Sequence, residues 1–164
     1  MDHRHMSIII FFFIALIILG VFLMWHAVIS KSPNPTLPAG QISIGKNVFA
    51  VEMATTSVEQ ARGLSFRTSL AEGTGMLFTF NPGIQNFWMK DMNFPIDIIW
   101  IASGKVVGSA ENAAPEPGTP LWGLRVYTSP DGVDRVLEVN AGTVARDGIK
   151  VGNVVTFGPD TSNS

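Results

Sequence analysis

The chain has no cysteine, and none of its 3 histidines (His3, His5 and His26) falls beyond residue 26. The rest of the sequence therefore lacks the side chains that make Ser-His-Asp and Cys-His nucleophiles, and those that ligate zinc or haem. Absence of cysteine fits an oxidising compartment without demanding one. Charge is scarce too: 15% of residues are charged, with 11 basic and 13 acidic side chains and a net charge of −2. No basic stripe is available to neutralise phosphates, which speaks against a nucleic-acid partner. The phosphate-cradling patterns G-x-x-x-x-G-K-[ST] and G-x-G-x-x-G are missing. What remains is narrow: carboxylate acid/base pairs, a Ser-Lys dyad, or oxygen-ligated Ca²⁺ or Mg²⁺. His3 and His5 read as incidental on a short tail, so no metal and no cofactor is expected.

Proline is absent, and glycine all but absent, before residue 30, where one apolar run dominates. From Ile8 to Ile29 only Gly20 and His26 interrupt it. A helix of that length spans roughly 33 Å, enough for a hydrocarbon core of about 30 Å. The run reads as an uncleaved signal-anchor, a single transmembrane helix behind a tail of residues 1–7. The alternative is a signal peptide removed near Ser30, with Val28 and Ser30 at the −3 and −1 positions. Arg4, Asp2 and Lys31 do not settle orientation by charge. A short tail ahead of a first membrane helix usually stays cytoplasmic, which places the following domain outside the cytoplasm. Residues 30–40 carry Pro33, Pro35 and Pro38 and read as a semi-rigid spacer, or in their last residues as an irregular lead into the first strand.

Residues 41–158 are rich in proline and glycine and read as short strands and turns, followed by a tail of residues 159–164. Gln41–Ala54 forms a strand pair turning at Gly45-Lys46-Asn47. Thr56 with Glu59, or Ser57 with Gln60, makes a capping box for a short helix Ser57–Arg62 ended by Gly63, with Val58 and Ala61 inward. Met76–Phe80 alternates as a half-buried strand, and Ile96–Ile101 and Lys105–Ala110 make a hairpin. Arg135–Val139 and Val154–Phe157 are further strands, with a helical turn within Asn140–Asp147. The expected fold is mainly β: a compact antiparallel sandwich or barrel with one or two short helices.

Several segments, in order, resemble the DUF192 family, bacterial and archaeal domains of unknown function. They are Val51-Glu52-Met53-Ala54, Gln60-Ala61-Arg62-Gly63-Leu64 with Arg67 and Leu70, and Gly75-Met76-Leu77-Phe78. Phe87-Trp88-Met89-Lys90, Pro95-Ile96-Asp97-Ile98 and Val136-Leu137-Glu138-Val139-Asn140-Ala141-Gly142 complete the set, spanning about residues 48–157. Ser65 and the stretch Asp91-Met92-Asn93-Phe94 depart from the family pattern. The resemblance implies a compact, mostly β domain, often behind a signal or anchor segment, and implies no reaction.

Five residues are candidates for ligand binding: Trp88, Lys90, Asp97, Arg67 and Arg62. Asp97 shares a strand face with Ile99 and Ile101 and so enters buried surroundings, where its charge needs a cation or several donors. Arg62 and Arg67 are the expected partners, in a structural ion pair or at a pocket whose arginine receives an acidic ligand. Trp88 and Lys90 share a face if Phe87–Met92 is extended, suiting sugar stacking or peptide contact. Otherwise Trp88 caps the core and Lys90 snorkels. Glu138, on a face with Val136, and Glu52 read as solvated or cross-strand-paired carboxylates.

These features favour a membrane-anchored, extracytoplasmic, non-catalytic binding or accessory module of the cell envelope. Its partners would be the lipid bilayer, through residues 8–29, and an envelope glycan or protein. The alternative is a hydrolase, most plausibly glycan-directed, pairing Asp97 with a second acid drawn from Glu138, Glu52 and Asp91. No residue is assigned a catalytic role.

Overall fold

The structure is a computed structural model that describes residues 14–24 and 33–158. The chain divides into two units, Met1–Ser32 and Pro33–Ser164. In the first unit the described residues form a helix, α1, over residues 14–24, with exposed side chains. No described helix is long and apolar enough to cross a membrane. The rest of the expected span, residues 8–13 and 25–29, lies outside the described residues, as do both tails and residues 30–32.

The second unit is a curled sheet with few short helices. Its strands are β1 (Ala39–Ile44), β2 (Asn47–Ala54), β3 (Thr74–Gly83), β4 (Asn86–Phe87), β5 (Ile96–Ala102), β6 (Lys105–Ala113), β7 (Tyr127–Thr128), β8 (Val133–Asn140) and β9 (Val155–Phe157). Seven of them lie in the order β6-β5-β8-β3-β2-β1-β9, while β4 and β7 form a separate pair. The sheet bends far enough for its edges to touch at one end. Lys105 bridges Val154, and Val106 donates to the Asn153 carbonyl at 3.0 Å. The result is a half-barrel.

The expected all-antiparallel arrangement is corrected at one pair: β2 and β3 run parallel, with Val51 opposite Gly75 and Ala54 opposite Phe78. A parallel pair needs a crossover of a dozen or more residues, and residues 55–73 supply it. Within the crossover lies α2 (Ser57–Arg62), whose Thr56 and Glu59 form the expected capping box. The inward face expected of this helix is also corrected. Val58 is 73% exposed, Ala61 is exposed, and α2 buries no residue. It is held instead by polar contacts. Gln60 donates to the carbonyls of Ala54 and Thr79, and Asn34 donates to those of Glu59 and Gly63 at its C-terminal end.

Two apolar layers follow from the pleat of the sheet. The concave layer gathers Ile42, Phe49, Leu77, Ile99, Leu137 and Val155 with their neighbours. The convex layer gathers Met76, Phe78, Ile98, Trp100 and Val136, covered by Leu64 after α2 and by Met89 and Met92 after β4. The central strands β3, β5 and β8 are therefore buried on both faces. Leu77 is 4% exposed, so the half-buried alternation expected at Met76–Phe80 does not hold. The end of the expected spacer belongs to this core: Leu37 is buried and Pro38 accepts a bond from the Met53 amide at 2.8 Å.

Candidate functional site

A cavity of about 210 Å³ opens on the convex side of the sheet, between α2 and the segment after β4. Its wall is set by a sharp exit from α2. Gly63 takes φ 49, its N–H bonds the Glu59 carbonyl, and a Cβ there would approach the Phe78 ring at 3.5 Å. Residues 65–67 are then laced to residues 90–93. Ser65 Oγ donates to the Lys90 carbonyl at 2.8 Å, the Phe66 amide to Asp91 at 2.8 Å, and Asn93 Nδ2 to Arg67 at 2.8 Å. The first of these bonds joins two residues of the cavity lining, Ser65 and Lys90.

Aromatic rings line its inner side. Phe78 and Phe80 project from β3 with rings 5° from parallel and 6.3 Å apart. Phe87 of β4 stands across both, at 87° and 5.0 Å from Phe78 and at 89° and 6.2 Å from Phe80. Trp88, Arg62 and Lys90 also line the cavity.

Glu138 lies at its floor and is the one acidic residue in the lining. It sits on β8 opposite Met76 on one side and Ile98 on the other, 6% exposed. Its Oε2 is buried and has no hydrogen-bond partner among the described residues. Burial pushes its carboxyl up to about 8, an effect that the positive charge of Arg67 only partly offsets. Arg67 itself is committed elsewhere, donating through both terminal nitrogens to the Glu52 oxygens at 2.6 and 2.7 Å. A buried carboxyl left without a partner is costly, and such groups concentrate at functional sites.

Residues 40–157 match the family model DUF192, described as Uncharacterized ACR. The chain belongs to the DUF192 family. Two solved structures share the fold. One, a protein of unknown function from Novosphingobium aromaticivorans DSM 12444, is 34% identical over 76% of this chain and 91% of its own, with a TM-score of 0.67. The other, a proposed transcription regulator from Sinorhizobium meliloti 1021, is 29% identical over 76% of this chain and 97% of its own, with a TM-score of 0.68. No curated protein matches.

Against this DUF192 fold the candidates separate into three groups. Trp88, Lys90 and Arg62 come together at the cavity, although Phe87–Met92 is not extended beyond Phe87. The chain turns at Lys90-Asp91, with Asp91 at φ 55, Lys90 ion-pairs with Asp91, and Arg62 lies over the Phe66 ring at 5.8 Å. Arg67 sits apart in its Glu52 pair, which holds the crossover against β2.

Asp97 is fully buried, and its expected pairing with Arg62 or Arg67 is corrected. One oxygen accepts from the Asn112 amide at 2.8 Å and the other from the Val144 amide at 2.8 Å. Asn112 lies at φ 53 in a bulge of β6, and Val144 lies in the first turn of α3 (Thr143–Asp147), whose Gly142 cap offers no side chain. Asp97 thus satisfies two otherwise orphaned donors, a structural role. With both oxygens taken in the core, it cannot join a second carboxylate in an open cleft.

Glu138 is what the sequence reading missed. Its alternation with Leu137 and Val139 suggested a solvated or paired carboxylate. The available signal was a charge within the short apolar stretch Val136-Leu137-Val139, the pattern of a strand segment buried on both faces. Among the described residues, no three His, Cys, Asp or Glu side chains are grouped so as to hold a metal.

Proposed function

We propose that this DUF192 domain is a non-catalytic binding module, with its ligand site in the cavity floored by Glu138 and rimmed by Trp88, Lys90 and Arg62. The observation that carries the reading is Glu138, which lines a cavity walled by aromatic rings and whose carboxyl is buried, with no partner at Oε2 among the described residues. A volume of about 210 Å³ suits a small molecule or one protruding group of an envelope component better than an extended glycan. Trp88, 45% exposed at the edge of this cavity, offers an apolar face with one N–H donor.

We propose further that residues 8–29 anchor the chain in a membrane with the domain on the extracytoplasmic side, or direct its secretion if cleavage occurs near Ser30. The apolar length and missing charges support this.

A fragment screen followed by the indole N–H resonances of the tryptophans and the backbone amide of Lys90 tests the binding role. Bound fragments are expected to shift the Trp88 and Lys90 signals, and Trp88→Ala should remove binding while leaving the melting temperature within a degree or so. A screen in which nothing perturbs these residues would defeat the reading. Alkaline extraction of membranes from cells expressing the full chain tests the anchor: the protein should stay in the pellet.

A further inference from the structure

We propose that the Glu138 cavity takes a small organic cation, with an ammonium group seated between the Glu138 carboxyl and the rings of Phe78, Phe80, Phe87 and Trp88. The inference rests on the reading of this cavity as a ligand site and adds the charge and chemistry of the ligand. Three observations lead to it.

First, the cations around the site have other engagements. Arg67 is held by Glu52 in a two-point pair, Lys90 by Asp91, and Arg62 lies over Phe66. Among the described residues, Glu138 is a charge-capable group of the lining left with an oxygen that nothing bonds. Second, what the Glu138 carboxyl, 6% exposed in the cavity lining, lacks is a donor. An ammonium N–H supplies one together with a compensating charge, so the buried carboxylate is no longer uncompensated. An anionic ligand would require Glu138 to stay protonated and would gain nothing from the rings. Third, aromatic faces carry negative potential and attract cations. The perpendicular setting of Phe87 against the near-parallel Phe78 and Phe80 gives a corner in which faces and edges meet around one small volume. Gln60 and Gln85, which also line the cavity, offer neutral polar groups for the remaining N–H donors.

The charge acting on Glu138 is that of Arg67, from the crossover; Arg62 and Lys90, the latter paired with Asp91, line the same cavity. Arg67 favours the carboxylate, and burial opposes it more strongly, so the free site holds a proton at neutral pH. Ligand binding then releases that proton. Affinity should rise as pH climbs through about 8 and fall again only when the ligand amine itself loses its proton, near the lysine range of about 10.4.

The test is titration of the full chain with n-butylammonium and, separately, with n-butanol, a neutral molecule of the same shape. Tryptophan indole resonances and calorimetry are the readouts. Butylammonium should bind saturably and about tenfold tighter one pH unit above 8 than one below, with proton release seen as a buffer-dependent enthalpy. Glu138→Gln, which keeps the shape and removes the charge, should weaken it tenfold or more, with folding verified by the unchanged dispersion of the spectrum. Butanol binding as tightly as butylammonium, or unchanged affinity in Glu138→Gln, would overturn the cation while leaving the cavity a ligand site. Absence of binding by either probe, together with a fragment screen that leaves Trp88 unperturbed, would overturn the site as well.

Discussion

Asp97→Ala removes the acceptor of two backbone amides at once. The Asn112 and Val144 N–H groups each lie 2.8 Å from a carboxylate oxygen of a side chain that is 0% exposed. Hydrogen bonds to a charged partner contribute about 1.5–3 kcal/mol each, so the pair is worth about 3–6 kcal/mol. The truncated site leaves the buried Val144 amide without its acceptor and takes the part-buried Asn112 amide's partner as well. Against a typical stability of about 5–15 kcal/mol the loss is large enough to populate the unfolded chain. Asp97→Asn keeps one carbonyl acceptor and should forfeit about half as much. Urea unfolding followed by tryptophan fluorescence measures the loss, and hydrogen exchange at Asn112 and Val144 locates it. In Asp97→Ala both amides should exchange faster even where the rest of the sheet is protected. A loss below about 1 kcal/mol, or unchanged exchange at both amides, would refute the reasoning. It would mean that the β6 bulge and the α3 turn hold their shapes without this carboxylate.

Further expectations concern the neighbouring charges and the sheet. The folded chain holds the Glu138 proton up to about 8, whereas the unfolded chain releases it near the ordinary 4.5. Stability should therefore decline as pH rises through that window and level off above it, by about 4–5 kcal/mol at most. Urea midpoints across pH, compared between the native chain and Glu138→Gln, isolate this component, and parallel curves would contradict it. Glu52 behaves in the opposite sense. The hydrogen bond from Arg67 holds its carboxyl below the ordinary value, so its contribution is present above 4.5 and disappears as pH falls through the lowered value. Since the two side chains are 17% and 31% exposed, Glu52→Gln should cost only about 1 kcal/mol in the same assay. Gly75→Ala would place a Cβ 2.7 Å from the Glu138 carbonyl oxygen and 2.9 Å from Leu137 Cδ1. Thermal unfolding should register about 2–3 kcal/mol of strain, because a backbone atom in a central strand cannot yield.

Local patterns were legible wherever one short segment carries its own instructions. Thr56, Glu59 and Gly63 specify a helix start and stop within eight residues, and α2 occupies the expected span. The hydrophobic runs that became β5, β6 and β8 were likewise readable, as was the turn at Gly45 between β1 and β2. Long-range arrangement was not. Nothing local in Val51 or Gly75 says that their strands run parallel, since that depends on how residues 55–73 are folded between them. The two-residue strands β4 and β7 are too short to leave any periodic trace. At the site, Trp88 and Lys90 were recognisable as a pair by residue type, whereas Arg62 was assigned to Asp97 and only the fold brings it to their cavity. The partners of Asp97 were not, because backbone amides have no signature in a sequence. Glu138 was misjudged for a related reason. Alternation shows which face a residue occupies, and only the coverage by Leu64, Met89 and Met92 makes that face a buried one.

The seam between β1 and β9 sets a schedule for the growing chain. The last strand of the domain pairs with the first, Ile42 opposite Phe157 and Ile44 opposite Val155. As the polypeptide emerges, β1 can take up β2 at once, but its outer edge waits until residue 157 has been made. Throughout synthesis the unfinished sheet presents a row of unpaired amides and carbonyls beside a concave apolar layer, the arrangement most prone to joining a stranger's strand. A released chain truncated just short of Val155 would keep nearly all of its core and leave the outer edge of β1 open.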